Sequence, residues 1–154
     1  MRIQDAGLGS DRCGATLFEV VVLVTPVGIL AGFSLPPFKR GYDRIETRSA
    51  AQEALTAFFV ARESAIAAGK PADVIIDATR ARLRVITGDD TVLALPVGMR
   101  HGVAVATSRP SMTYTASGLG YGGANLRVIV SRGAAAETVF VSREGRARLG
   151  TRPR

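Results

Sequence analysis

The sequence predicts an α+β fold: a long N-terminal helix, membrane-spanning in its first half and amphipathic in its second, packed on a C-terminal antiparallel β-sheet domain. Three observations lead there. Residues Ala15 to about Leu35 form an apolar run of roughly 20 residues, which at a 1.5 Å rise matches a hydrocarbon core of ~30 Å. Residues 39–70 mix charged and apolar side chains at helical spacing. Beyond Ala72 the chain breaks into short β-branched runs separated by turn signals. With 154 residues and 47% hydrophobic content, one core is affordable, and subtracting the membrane segment leaves a small soluble domain. The net charge of +7 and a pI near 10.7 raise the question of anionic partners. Cys13, the single cysteine, rules out an intrachain disulfide and a cysteine-based zinc site.

In chain order, residues 1–14 read as a leader, 15–38 as the membrane helix, 39–70 as the amphipathic helix half, 71–149 as the β domain and 150–154 as a basic tail. The apolar run exceeds the usual 7–15 residues of a signal-peptide core and continues in helical fashion through "SLPPFKRGYDRIETRSAAQEALTAFF". Because Cys13 precedes the run, the order is wrong for a lipoprotein anchor. Glu19 stands inside the run, and a carboxylate there costs a few kcal/mol unless it snorkels to the interface or is paired. If the chain is cut after Gly14, the new α-amino group of Ala15 lies one helical turn from Glu19, and the same amine on a neighbouring subunit could neutralise it.

The segment "GATLFEV" resembles the processing site of type IV prepilins and type II secretion pseudopilins: glycine before the cut and glutamate fifth in the mature chain. Gly28 and Pro36 fall where such helices carry glycine and proline. The resemblance implies cleavage between Gly14 and Ala15 by a prepilin peptidase, N-methylation of Ala15, and a role for Glu19 in assembly with other pilins or pseudopilins on an inner-membrane platform. It also implies a single-pass bacterial inner-membrane protein with a periplasmic C-terminal domain. Ala15 stands where phenylalanine is usual, which would slow methylation while permitting cleavage. Pro26 should kink the helix or weaken one turn. Charge bias alone, with Lys39, Arg40, Arg44 and Arg48 after the span, would keep the C-terminal side inside; the more specific processing signature overrides it.

Past the span, the helix is expected to reach Ala68, about 80 Å from Ala15 if continuous. Bends are expected at Pro36, Pro37 and Gly41, with Gly69 and Pro71 as terminators. Ile45, Leu55, Phe58, Phe59 and Ile66 cluster on one face, leaving Arg48, Glu53, Arg62 and Glu63 for solvent. Seven strands follow: "ADVIID", "ARLRVIT", "TVLALP", "GVAVAT", "SMTYTAS", "NLRVIVS" and "TVFVS", with "TGDD" and "SRGAAAE" as turns. This half is similar to the GspH/FimT minor pilins through "ARESAIAAGKPADVIID", "SGLGYGGANLRVIVS" and "VFVSREGRARL".

"GLGYGG" matches a dinucleotide-binding fingerprint through Gly118, Gly120 and Gly123, but "ANLRVIVS" reads as a strand where that motif requires a helix, so a glycine-rich hairpin is expected. His101 reads as a loop histidine without ligand-spaced partners, and Asp89 and Asp90 as a solvated turn. No cofactor, metal or nucleophile–base pair is expected, and the chain reads as a non-enzyme. Arg143, Arg146, Arg148, Arg152 and Arg154, opposed only by Glu144, form either a solvated tail or a phosphate-neutralising DNA contact. "GRAR", Gly145 to Arg148, resembles the tail of FimT-type pilins linked to DNA uptake, and a similar closing strand of secretion pseudopilins. Two readings follow. One is a minor pseudopilin near the tip of a type II secretion pseudopilus, touching secreted cargo; the other is a minor type IV pilin capturing DNA.

Overall fold

The computed structural model describes residues 16–121 and 125–150, and for residues 30–37 the backbone alone. The leader, the Gly14–Ala15 junction, Gly123, Arg152 and Arg154 lie outside the described residues. The chain divides between Pro37 and Phe38 into two compact units. Helix α1, Leu17–Ala68, begins where Thr16 caps it: the Glu19 amide donates to Thr16 Oγ1 at 3.3 Å. Thr16 and Glu19 stand in the T-x-x-E spacing of a capping box, so the start of α1 is written locally. Pro26, Pro36, Pro37 and Gly41 all lie within the helical residues of α1. It stops at Gly69, whose φ of +61° only glycine adopts without strain, ahead of Pro71.

Within the second unit, the buried side of α1 differs from the expected one. Only Phe58, 1% exposed, is an apolar position of the expected face that is fully buried; Leu55 is half-buried, while Ile45, Phe59 and Ile66 are exposed. The face turned inward is Thr47, Ala50, Ala51, Ala54, Ala57, Phe58, Ala61 and Ala65, with Asp43 at its start, at helical spacing. The reason is steric. A helix that lies against two sheets has room along most of its inward side for little more than a Cβ, so, Phe58 apart, the larger side chains sit on its flanks.

The β domain is two antiparallel sheets, where the sequence suggested one. The first has the order β3-β2-β1-β5-β6, with β1 Ala72–Asp77, β2 Arg82–Thr87, β3 Asp90–Leu95, β5 Ser111–Tyr114 and β6 Gly120–Tyr121. The second has the order β4-β7-β8-β9, with β4 Ala104–Thr107, β7 Leu126–Arg132, β8 Ala135–Val141 and β9 Ala147–Gly150. A short helix, α2 Val97–His101, joins β3 to β4. Alternation works as expected in β1, where Ala72, Val74 and Ile76 are buried, and in β7, where Leu126, Val128 and Val130 are. These side chains, with Val139 and Val141 of β8 and Leu83 and Val85 of β2, form one core with the alanine face of α1.

Two turns differ from the sequence reading. The alanines of "SRGAAAE" belong mostly to β8, which pairs with β7 in the register Arg132↔Ala135, so only Gly133 and Ala134 form the turn. Alanine's weak strand preference hides this strand from propensity, and burial overrides it. Of "GLGYGG", Gly118 to Tyr121 belong to the β5–β6 hairpin, where Gly118 donates to Thr115 O at 2.8 Å and β6 pairs with β5 through Tyr114↔Gly120; Gly122 and Gly123 lie outside the described residues.

If the alanine face sets the packing distance, Ala54→Leu should destabilise the protein by about 1–3 kcal/mol through overpacking, whereas Ile45→Ala should change stability by less than about 0.5 kcal/mol. Urea denaturation of the two variants checks the contrast.

Candidate functional site

Three places gather the candidate residues. The first is the start of α1. Glu19 is solvent-exposed there, as are Leu17, Phe18, Val20, Val21, Val22, Leu23, Val24, Val27 and Ile29. A helix apolar all round needs lipid or partner helices to cover it. Among the described residues no helix is long and apolar enough to cross a membrane; the expected span also takes in residue 15 and residues 30–35, whose side chains are outside the description. The Glu19 carboxylate sits in the first turn of α1, where the helix dipole favours negative charge.

The second place is the β8–β9 hairpin. The arginines expected to lie in a tail are, as far as Arg148, held in an ordered turn and strand. Ser142 donates to Arg146 O at 2.9 Å, Gly145 donates to Ser142 O at 2.9 Å, and the Arg146 amide donates to Ser142 Oγ at 3.2 Å. Gly145 has φ +78°, and a Cβ there would stand 2.8 Å from Tyr114 Cε1. Tyr114, fully buried in β5, donates its hydroxyl to Gly145 O at 3.1 Å. Burial raises the Tyr114 pKa to about 12, partly offset by the charge of Arg62. The phenol is therefore a permanent donor that ties the hairpin to the first sheet.

Arg143 and Arg146 project from this turn, Arg146 forming an exposed 3.5 Å ion pair with Glu144. Arg148 lies in β9 opposite Phe140 of β8, which lies opposite Arg127 of β7. The three therefore form a row across the outward face of the second sheet, since Val128, Val139 and Val141 point inward. Gly150 leaves room for the Phe140 ring, which a Cβ there would strike. Phe140, Arg148, Asn125 and Ser142 line a shallow recess of about 310 Å³. Arg127 escaped the sequence reading; its signal is the outward position in the alternating "LRVIV".

The third place joins α1, α2 and β7. His101, 14% exposed, lies with Nδ1 2.7 Å from Glu46 Oε2 and Nε2 3.2 Å from Glu53 Oε1, the second contact too poorly aligned to count as a hydrogen bond. Arg100 Nη1 is 3.4 Å from both Glu53 oxygens. Arg132 donates through Nε to Asp43 Oδ1 at 2.9 Å and through Nη1 to His101 O, and its guanidinium lies 4.8 Å from the Tyr42 ring centroid. The sequence reading gave His101 no partners. Glu46 and Glu53, seven residues apart on α1, supply them from 55 and 48 positions upstream. With both ring nitrogens turned to carboxylates, the histidine acts as a clip. Among the described residues no cluster of histidine, cysteine and acidic side chains could hold a metal.

Burial disfavours a charged His101 ring, but the hydrogen bond to Glu46, the close Glu53 carboxylate and the negative charges of both outweigh it, so the pKa rises above the ordinary 6.5. The Glu46 pKa falls below its ordinary 4.5, chiefly through the His101 hydrogen bond. A raised histidine stabilises the fold fully below 6.5 and loses that contribution as pH climbs through the folded value; the lowered Glu46 contributes above 4.5 and is lost as pH falls. The urea midpoint should therefore decline as pH rises from 6.5, and His101→Gln should flatten that decline. Unfolding curves from about pH 5 to about pH 9 check it.

The fold can be compared with known proteins. No protein-family model matches the chain, and no curated protein matches it. Among solved structures, it is similar to the type IV minor pilin FimU of Pseudomonas aeruginosa in two crystal forms. In the first the TM-score is 0.60 at 16% identity, covering 70% of this chain and 90% of that one; in the second it is 0.57 at 14%, covering 68% and 92%. It is also similar to the minor pseudopilin EpsH from the type 2 secretion system of Vibrio cholerae, with a TM-score of 0.54 at 17% identity, covering 68% of this chain and 95% of that one. The chain has a type IV pilin-like fold, its helix packed on antiparallel sheets.

Proposed function

We propose that the chain is a minor pseudopilin of a type II secretion system, a structural subunit and not an enzyme. In this reading residues 1–14 are a leader removed by prepilin peptidase, Ala15 is the methylated first residue, and residues 15–38 cross the bacterial inner membrane once. Residues 39–70 and 71–149 then form the periplasmic domain, with 150–154 as a basic end. The observation that carries it is Glu19, in the exposed apolar start of a helix whose later turns belong to a pilin-like domain. The carboxylate would receive the α-amino group of an adjoining subunit as the chain leaves the assembly platform and joins other pseudopilins near the tip, where it would meet secreted cargo. The similarity to EpsH supports this reading.

A second reading, a FimT-like minor pilin that captures DNA, is favoured by one specific observation: the Arg127–Phe140–Arg148 row beside Arg143 and Arg146. Arginines flanking an aromatic ring can neutralise phosphates while a base stacks. Arg152 and Arg154 would extend that surface.

Under the first reading, Glu19→Ala should be processed normally yet be missing from sheared filaments, and immunoblotting of the sheared fraction measures it; normal incorporation would sink the proposal. Under the second, the full chain in detergent should bind DNA with log K falling by roughly 0.9 per neutralised phosphate for each unit of log salt. Replacing Arg127, Arg146 and Arg148 by alanine should then abolish binding, while no binding at low salt returns the hairpin to a structural role.

A further inference from the structure

A cleft of about 280 Å³ opens between α1 and the β7–β8 turn. One wall carries Arg40, Arg44 and Arg48, exposed and spaced four residues apart along one helix side. The other wall is Ala134, Ala135, Ala136 and Glu137, three small side chains and one carboxylate. Among the described residues neither these arginines nor Glu137 has an ion-pair partner, whereas Asp43 is already held by Arg132. The inverse pattern stands at the far end of the same compact unit. The β2–β3 turn projects Asp89 and Asp90, both exposed and without an ion-pair partner among the described residues. A Cβ at Gly88 would meet nothing within 4 Å, so the tip stands clear of the fold. Lys70, exposed and equally unpaired among the described residues, lies at this end too, because it precedes Ala72 by two residues and Ala72 pairs with Thr87 at the base of the turn.

Thr87 fixes the tip to α1 by donating its hydroxyl to Ser64 Oγ at 3.1 Å. Ser64 follows Arg44 by twenty residues, about 30 Å along the helix. It follows Glu46 by eighteen, which is five whole turns, so the tip sits on the flank that carries Glu46 and Glu53, nearly opposite the arginine row. We infer that this cleft receives a second copy of the chain: the β2–β3 tip of one copy sets Asp89 and Asp90 against Arg44 and Arg48 of the next, with Lys70 on Glu137. Complementarity in both signs favours a second copy over a phosphate or nucleic acid, which the arginines would attract and Glu137 would repel. Because tip and cleft stand at opposite ends and on opposite flanks, two copies cannot exchange both contacts and close. Each docked pair keeps one tip and one cleft unused, so the contact is heterologous and extends into a row. The inference goes beyond the proposed function and does not rest on it, since every residue it uses lies in the second compact unit.

The test is sedimentation velocity of the full chain in a maltoside detergent with a reductant, at about 20 mM and about 300 mM salt, the high-salt particle serving as the unit of counting. Wild type should form species larger than two units at low salt and lose them at high salt. Arg44→Gln/Arg48→Gln and Asp89→Asn/Asp90→Asn alter exposed positions and should keep the wild-type circular dichroism, while each alone associates about tenfold or more weakly. Mixed in equal amounts, the two variants should pair and stop at two units, because one retains a tip and the other a cleft. Charge reversal probes the second contact: Glu137→Lys and Lys70→Glu should each weaken association, and both together in one chain should regain it. Wild type that halts at two units overturns the head-to-tail contact, and wild type that stays at one unit at low salt overturns the interface. Association that neither salt nor the neutral variants reduce belongs to the apolar start of α1 and overturns the inference. A mixture of the two neutral variants that fails to pair overturns the match of tip to cleft.

Discussion

Packing of one helix face against two sheets is the constraint on which the β domain depends. Apart from Phe58, the side chains lining the inward side of α1 are alanine or threonine, with the charged Asp43 before them, and they share one core with strands of both sheets. Most of the apolar burial is then supplied by the strands, through Val74, Leu83, Val85, Val128, Val130 and Val139, with Phe58 and Tyr114 as the bulkiest fully enclosed groups. The flanks of α1 are thereby freed. One flank holds Glu46 and Glu53 against α2, and the other carries the arginine series that faces β8.

Polar groups then fix what apolar packing leaves loose. Arg132 reaches Asp43 on α1 and the carbonyl of His101 at the end of α2, so three elements share one guanidinium. Tyr114 does the corresponding job at the other end of the core, where its buried hydroxyl holds the β8–β9 turn. Such buried, directional contacts specify an arrangement more than they stabilise it, because an unmade one leaves a desolvated donor or acceptor. The arginines of "GRAR" owe their fixed positions to this second contact, since Gly145 is both the residue that Tyr114 grips and the one that permits the turn.

The parts of the fold that local chemistry writes were legible in the sequence. The glycine stop bounded α1, and β-branched runs between turn signals marked β1, β2 and β7. What depends on register or on distant partners was not. The buried face of α1 was misjudged because large apolar residues outweigh alanines on any hydropathy scale, although alanines make up most of the inward side. β8 was shortened because Ala135 and Ala136 lack strand propensity, and β6 and β9 were too short to show a period. The carboxylates beside His101 lie about half a hundred positions upstream, and the row through Phe140 exists only once three strands are aligned.

The sheet arrangement has a consequence for solubility. Two open sheets leave four edges, β3, β6, β4 and β9, each a row of unpaired amides and carbonyls able to template another chain. Among the described residues these edges are curtailed: β6 has 2 residues, β4 and β9 have 4 each, and β3 joins its neighbour through an irregular register at Val85/Ile86. Brevity, charge at Arg148 and an interrupted ladder keep the cross-β route closed.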